Sequence, residues 1–296
     1  MRATDQAASL RLIQGTGHST GHVPTTRRER AIAVTGGKGG VGKSTIAVGL
    51  ASAFVADGSD TLMIDADLGM ADLNLLLGVA PPHSLLDALG GAPIDEVLVA
   101  AHGMHLLPAA NGSFELATLG PLARARACAL VEELRVRFDT VVLDIAAGIG
   151  HQQSAFTRAA RDCVVVVNPE PLSMADSYAC LKVLATEHGL DTAYVVPNRV
   201  TSRGQADDVV GRLTDLVARF LDLTLVAMPY VPADPAVIEA AHFGVPLVRH
   251  RPDAPAARAM RRLARALDAV TPPDQRLDSA QQFWRCQLVP AGGETP

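Results

Sequence analysis

Aromatic side chains are scarce in this chain. Phe, Trp and Tyr make up 4% of the 296 residues, with a single Trp, while hydrophobic residues reach 48%. A core built on large rings is therefore excluded. Ala, Val and Leu must fill it, which suits helices packed on a parallel sheet. Cysteine is also sparse: Cys128, Cys163, Cys180 and Cys286 are scattered and form no C-x-x-C. That pattern gives no sign of a disulfide framework, a zinc site or an iron–sulfur bridge, and it fits a cytosolic compartment. No run of about 18 uninterrupted apolar residues occurs, so no transmembrane helix is expected. The opening residues Met1 to Asp5 contain no apolar signal region. Neither sign of charge dominates. The net charge of −5 argues against general nucleic-acid binding, although a local basic patch escapes such a count. Internal repeats are absent.

The first 30 residues differ from the rest. Asp5 to Ile13 can form a short helix. Gln14 to Arg30 is rich in Gly, Ser, Thr and His and ends in Arg27-Arg28-Glu29-Arg30. This stretch reads as a flexible linker spanning roughly 20–25 Å. From residue 31 the pattern alternates. Strands are predicted at 31–35, 60–65, 104–108, 140–144, 162–167, 192–196 and 224–228. Helices are predicted at 43–57, 120–138, 152–160, 172–188, 205–220, 234–242 and 254–270. Several strands are apolar at both parities, such as Val141-Val142-Leu143 and Val164 to Val167, as strands covered on both faces must be. The expected fold is α/β: a doubly wound, mostly parallel sheet with helices on both faces, over residues 31–272. A helix or tail, 273–296, follows. A ligand should sit at the carboxyl ends of the strands.

One loop lies at that position. Gly36-Gly37-Lys38-Gly39-Gly40-Val41-Gly42-Lys43-Ser44-Thr45 contains G-x-x-x-x-G-K-[ST], read from Gly37 to Ser44, between an apolar run and a helical pattern. That context makes it a nucleoside-triphosphate loop. Gly37, Gly39, Gly40, Val41 and Gly42 let successive backbone N–H groups converge on one point. The helix start adds unpaired N–H groups and a partial positive charge. Lys43 is placed for the β- and γ-phosphates, Ser44 for Mg²⁺, and Thr45 for the α-phosphate. An ordinary loop of this kind does not require Lys38.

Carboxylates leave the neighbouring strands. Asp65-Ala66-Asp67 ends one of them. Asp67 suits the work of orienting or deprotonating the attacking water, and Asp65 that of organising Mg²⁺ through its water shell. The competing reading is a capping pair before a helix from about residue 70. Asp144 follows Val141-Val142-Leu143 and suits a second Mg²⁺-sphere carboxylate. Ala146-Ala147-Gly148 is small enough for a switch segment near the γ-phosphate. Asn198, after Tyr194-Val195-Val196, can offer an amide donor and acceptor to an adenine edge, with Arg199 and Pro229 flanking the ring.

Together these residues resemble the deviant Walker A ATPases of the MinD/ParA class over residues 30–250. The resemblance rests on Lys38 to Thr45, Asp65-Ala66-Asp67, Asp144 to Gly148, Asn168-Pro169-Glu170, Asn198-Arg199 and Pro232-Ala233-Asp234. It implies that Lys38 reaches a partner subunit's ATP, so that ATP drives homodimerisation of a slow regulatory ATPase. Asp65 to Gly78 looks most like the flagellar-number regulators of the FlhG/FleN group. Asp5-Gln6-Ala7-Ala8-Ser9-Leu10-Arg11 is similar to that group's D-Q-A-x-x-L-R segment. The comparison implies that Asp5, Gln6, Leu10 and Arg11 dock on FlhF, a signal-recognition-type GTPase, and stimulate its hydrolysis. A flagellar transcription regulator and flagellar switch components are further implied partners.

The resemblance also implies a membrane-targeting helix near 274–289, where Leu277, Ala280, Phe283, Trp284 and Leu288 recur at roughly helical spacing. Its basic content, Arg276 and Arg285, is thin for an interfacial helix, so a helix packed on the domain or a partner is the competing reading. Many relatives carry proline or glycine where Ala146 stands. The alternative function is a ParA-type partitioning ATPase that binds DNA non-specifically. Arg258, Arg261, Arg262 and Arg265 permit it, but the N-terminal segment gives it no support.

Overall fold

The computed structural model describes residues 30–67, 72–109, 136–148 and 162–270, with isolated positions at 126, 129, 130, 133, 134 and 160. The chain builds nine strands among these: β1 (Arg30–Thr35), β2 (Thr61–Ala66), β3 (Val99–Ala101), β4 (Met104–Leu107), β5 (Thr140–Ile145), β6 (Asp162–Val167), β7 (Thr192–Val200), β8 (Thr224–Ala227) and β9 (Val231–Pro232). They form one sheet in the order β3-β4-β2-β5-β1-β6-β7-β8, with β9 added to β7. Every pairing is parallel except β3 with β4. The expected doubly wound sheet is what the chain forms.

Alternation along β1 shows why both parities are apolar. Ile32 and Val34 enter one core layer, with Met63, Val142 and Val164. Ala31 and Ala33 enter the opposite layer, with Leu62, Ile64 and Leu143. Successive side chains of a strand point to opposite faces, and here helices cover both. On the first face lie α1 (Lys43–Ala56), α2 (Leu73–Leu76) and three helices from the carboxyl-terminal part. Those three are α7 (Pro235–Phe243), α8 (Leu247–His250) and α9 (Pro255–Val270). The other face holds the short helices α3 (Leu85–Leu89) and α4 (Ile94–Val97), and also α5 (Pro171–His188) and α6 (Arg203–Phe220).

The amino end of β1 corrects one expectation. Arg30, read as the last linker residue, is the first residue of β1 and is 2% exposed. Its guanidinium donates to Asp162 Oδ2 at 2.7 Å, to Asp268 Oδ1 at 2.9 Å and to the Leu267 carbonyl at 2.9 Å. It also sits 5.7 Å from the centre of the Phe54 ring. The last helix is thereby stitched to the first strand.

Other differences are local. The edge strand β3, the two-residue β9 and the short helices α3, α4 and α8 were not expected, and α2 was expected only as the competing reading of a helix from about residue 70. Residues 136–139 turn rather than continue a helix to 138. The helix expected at 152–160 lies outside the described residues, apart from a non-helical Ala160. The segment with Asp5, Gln6, Leu10 and Arg11, and the tail 273–296, also lie outside them. Among the described residues no helix is long and apolar enough to cross a membrane.

Candidate functional site

The sheet order places β1 between β5 and β6. The loop that leaves β1 therefore opens into the crevice where the winding direction changes, the expected place for a ligand. Two close approaches dictate glycine in it. A Cβ on Gly37 would fall 2.0 Å from the Asp176 carbonyl carbon, because α5 presses its backbone against the loop. Gly42 has a φ of 96°, and a Cβ there would fall 2.5 Å from Asn198 Nδ2. Gly42 is the N-cap of α1 and supplies no side-chain cap. No acidic residue occupies the first turn of the helix itself. An incoming anion can take its leading N–H groups.

The two lysines of the loop are placed differently. Lys43 is buried at 8% exposure, whereas Lys38, Gly39 and Gly40 are exposed. Beside Lys43 the ends of β2 and β5 come into register, with Asp65 opposite Asp144. Both carboxylates are buried, at 2% and 3% exposure. Burial first, and then the Asp144 charge, push the Asp65 carboxyl up to about 8. Burial likewise pushes Asp144 up to about 7, although a hydrogen bond from Ser44 and the nearby Lys43 ammonium pull against it. Asp144 Oδ1 has no hydrogen-bond partner.

Two crowded carboxylates, one with an orphaned oxygen, beside a serine hydroxyl form a donor set that fits Mg²⁺. No cluster of three or more His, Cys, Asp or Glu that could hold a metal is found among the described residues. Ser44 and Asp144 would hold the ion only in part, leaving the rest of its shell to water and phosphate oxygens.

Asp65 does more than the metal reading asked of it. Its Oδ1 accepts the Asp67 N–H at 3.1 Å and its Oδ2 the Leu73 N–H at 3.4 Å. Asp65 thus takes one half of the capping alternative, and the helix it touches begins at Leu73 rather than near 70. Asp67 is half-buried where the chain leaves β2.

Asn198 is tied to the loop. One N–H of its amide donates to the Val41 carbonyl at 2.7 Å, which leaves the second N–H and Oδ1 of the same amide. Arg199 is exposed, with a φ of 55°, at an irregularity where β7 changes register with β9.

Three contributors were missed as individual residues. Asn168 lies 4% exposed beneath the loop. Its place at the end of the apolar run Cys163–Val167 was the available signal. Cys180 approaches the Gly148 carbonyl at 4.0 Å and is hydrogen-bonded to Thr35, linking α5 to the switch segment. Burial pushes its thiol up to about 11, so it serves as packing rather than as a nucleophile. No spacing rule pointed to either Cys180 or Thr35.

The model of the CobQ/CobB/MinD/ParA nucleotide binding domain matches residues 32–247. The chain belongs to that family. Among its relatives, antiactivator FleN of Pseudomonas aeruginosa is 34% identical over 242 residues, covering 81% of this chain and 86% of FleN. The flagellum site-determining protein YlxH of Helicobacter pylori is 35% identical over 172 residues, covering 57% of this chain and 58% of YlxH. Among solved structures, the septum site-determining protein MinD of Pyrococcus horikoshii, complexed with Mg-ADP, superposes with a TM-score of 0.67 at 24% identity. It covers 81% of this chain and 96% of that one. This CobQ/CobB/MinD/ParA domain thus has the MinD fold, and its matched span takes in the loop 36–45 together with Asp65, Asp67, Asp144, Asn168 and Asn198.

Proposed function

We propose that this chain is a nucleotide-operated switch: a slow ATPase that controls flagellar number and placement. The observation that carries the reading is the division of labour within one loop. Lys43 lies buried beside an unsatisfied Asp144 oxygen, while Lys38 stands exposed five residues earlier. Lys43, the amides of 37–45 and the start of α1 would hold the triphosphate of ATP. Ser44 and Asp144 would share Mg²⁺ with it, and Asp65 would brace the turn that carries Asp67. Asp67 would orient the attacking water. Lys38, free of the loop floor, would reach the phosphates bound by a second copy, so that ATP favours the homodimer and hydrolysis releases it. A relative named for flagellum siting and the relative FleN support the flagellar assignment.

The partner reading extends this. Asp5, Gln6, Leu10 and Arg11 would stimulate the GTPase of FlhF, working in the cytoplasm and at the inner face of its membrane. A flagellar transcription regulator and switch components are further proposed partners.

The test is sedimentation velocity of Asp67→Ala with ATP and Mg²⁺, which should give a stable dimer where ADP gives a monomer. A monomer with normal turnover would refute the switch. Gln6→Ala should keep its own ATPase and lose stimulation of FlhF. A second reading, a partitioning ATPase on DNA, is favoured by the exposed arginines Arg258, Arg262 and Arg265 along α9. ATP-dependent, salt-sensitive retention of plasmid DNA would carry that reading instead.

A further inference from the structure

Two asparagines beneath the phosphate loop converge on one carbonyl. Asn168 follows β6 and Asn198 lies in β7, and they are 4% and 5% exposed. Asn198 Nδ2 donates to the Val41 carbonyl at 2.7 Å. With the Asn168 amide assigned in the orientation that the surrounding carbonyls require, its nitrogen donates to the same oxygen at 3.1 Å and to the Asn198 backbone carbonyl at 3.2 Å. Asn168 is itself fixed, because its backbone N–H donates to Ser173 Oγ at 3.1 Å. A carbonyl oxygen has two lone pairs, and both of those on Val41 are taken by side chains from separate strand ends.

The consequence falls on the next residue. In a trans peptide the C=O and the following N–H point in opposite directions, and no cis peptide occurs among the described residues. Drawing the Val41 oxygen toward the asparagines turns the Gly42 N–H the other way, away from them. Gly42 sits at a φ of 96°, a region glycine enters at little cost and can as readily leave. The Val41–Gly42 peptide would be free to rotate were its oxygen not held.

We infer that Asn168 and Asn198 are positioning residues. They lock the Val41–Gly42 peptide and so aim the Gly42 N–H at a phosphate oxygen of the bound nucleotide. The inference rests on the nucleotide reading above and adds a role that base recognition does not require. A base-reading role would make loss of either asparagine change the preference for adenine. A peptide lock makes the loss equal for ADP and GDP, since both present the same diphosphate.

The experiment uses the full chain, labelled with ¹⁵N, titrated with ADP and Mg²⁺ and then with GDP and Mg²⁺. In the unmodified protein the Gly42 amide should move downfield together with those of Lys43 and Ser44. In Asn168→Ala the Gly42 response should shrink while Lys43 and Ser44 keep theirs. The dissociation constants for ADP and GDP should rise by the same factor, about tenfold. Asn198→Ala should do the same to Gly42. Variants that bind ADP as tightly as the unmodified chain, or that lose adenine preference alone, overturn the lock. So does an unmodified chain whose Gly42 amide stays still while Lys43 and Ser44 respond, a result that decides even if the variants fail to fold. If no amide of 37–45 responds to ADP or ATP, the nucleotide reading fails at its root.

Discussion

Arg30, at the amino end of β1, and Asp144, at the carboxyl end of neighbouring β5, are about equally buried, at 2% and 3% exposure. Their surroundings differ. Arg30 meets two carboxylates and a carbonyl within 2.9 Å. Asp144 has a lysine and a serine nearby, an acid in the adjacent register, and one oxygen with no partner. A buried charge costs free energy unless it is paired and hydrogen-bonded. At the Arg30 end that cost is met inside the protein. At the Asp144 end part of it is left open, as expected where a ligand and its metal are to complete the arrangement.

Four measurements test this contrast. The largest effect is expected at the closed end: Arg30→Ala removes the buried guanidinium that Asp162, Asp268 and the Leu267 carbonyl share and should cost roughly 3–5 kcal/mol in chemical denaturation. Its nucleotide affinity should stay unchanged, and a loss below about 1 kcal/mol would show that the knot does not hold the fold.

Lys43→Ala should invert that result. ATP affinity should fall on the order of 100-fold or more in calorimetry, with little loss of fold. Ordinary affinity in this variant would remove the site.

Asp144→Asn comes third. Without Mg²⁺ the variant should be slightly more stable than the parent, because a crowded, buried acid has been neutralised. The stabilisation that Mg-ADP gives the parent in thermal melts should largely vanish.

The smallest effect is in pH. Asp65 and Asp144 are raised to about 8 and about 7, so the folded state holds protons that the unfolded chain releases near pH 4. Their contribution to stability is complete below about pH 4 and is lost as pH climbs through 7 and 8. Without metal, the parent should therefore lose stability over that window relative to Asp65→Asn. An identical slope in the two proteins would contradict the crowding.

What could be read beforehand follows from range. β1, β5 and β6 were visible because a strand covered on both faces is apolar at every position, a property of consecutive letters. The loop from Gly37 to Ser44 was visible because its chemistry is also consecutive. β3 was missed because three residues, Val99–Ala101, show no periodicity and earn strand status only by pairing with β4. α2 and α8, four residues each, are too short for a helical repeat to show. Arg30 looked like linker because its partners lie 132 and 238 positions away. The grip of Asn198 on Val41 spans 157 positions, and no spacing within the sequence encodes it.

The stitch between Arg30 and residues 267–268 makes the described domain nearly a closed ring, its entry and exit held together by one side chain. A circular permutant that bridges this seam and opens an exposed turn elsewhere would keep the same neighbours throughout the sheet. The ring also fixes the traffic of signals. Whatever is attached before residue 30 or after residue 270 departs from one shared corner, a strand's length of roughly 20 Å from the phosphate loop. A change at the loop has the length of the sheet to cross before it reaches that corner.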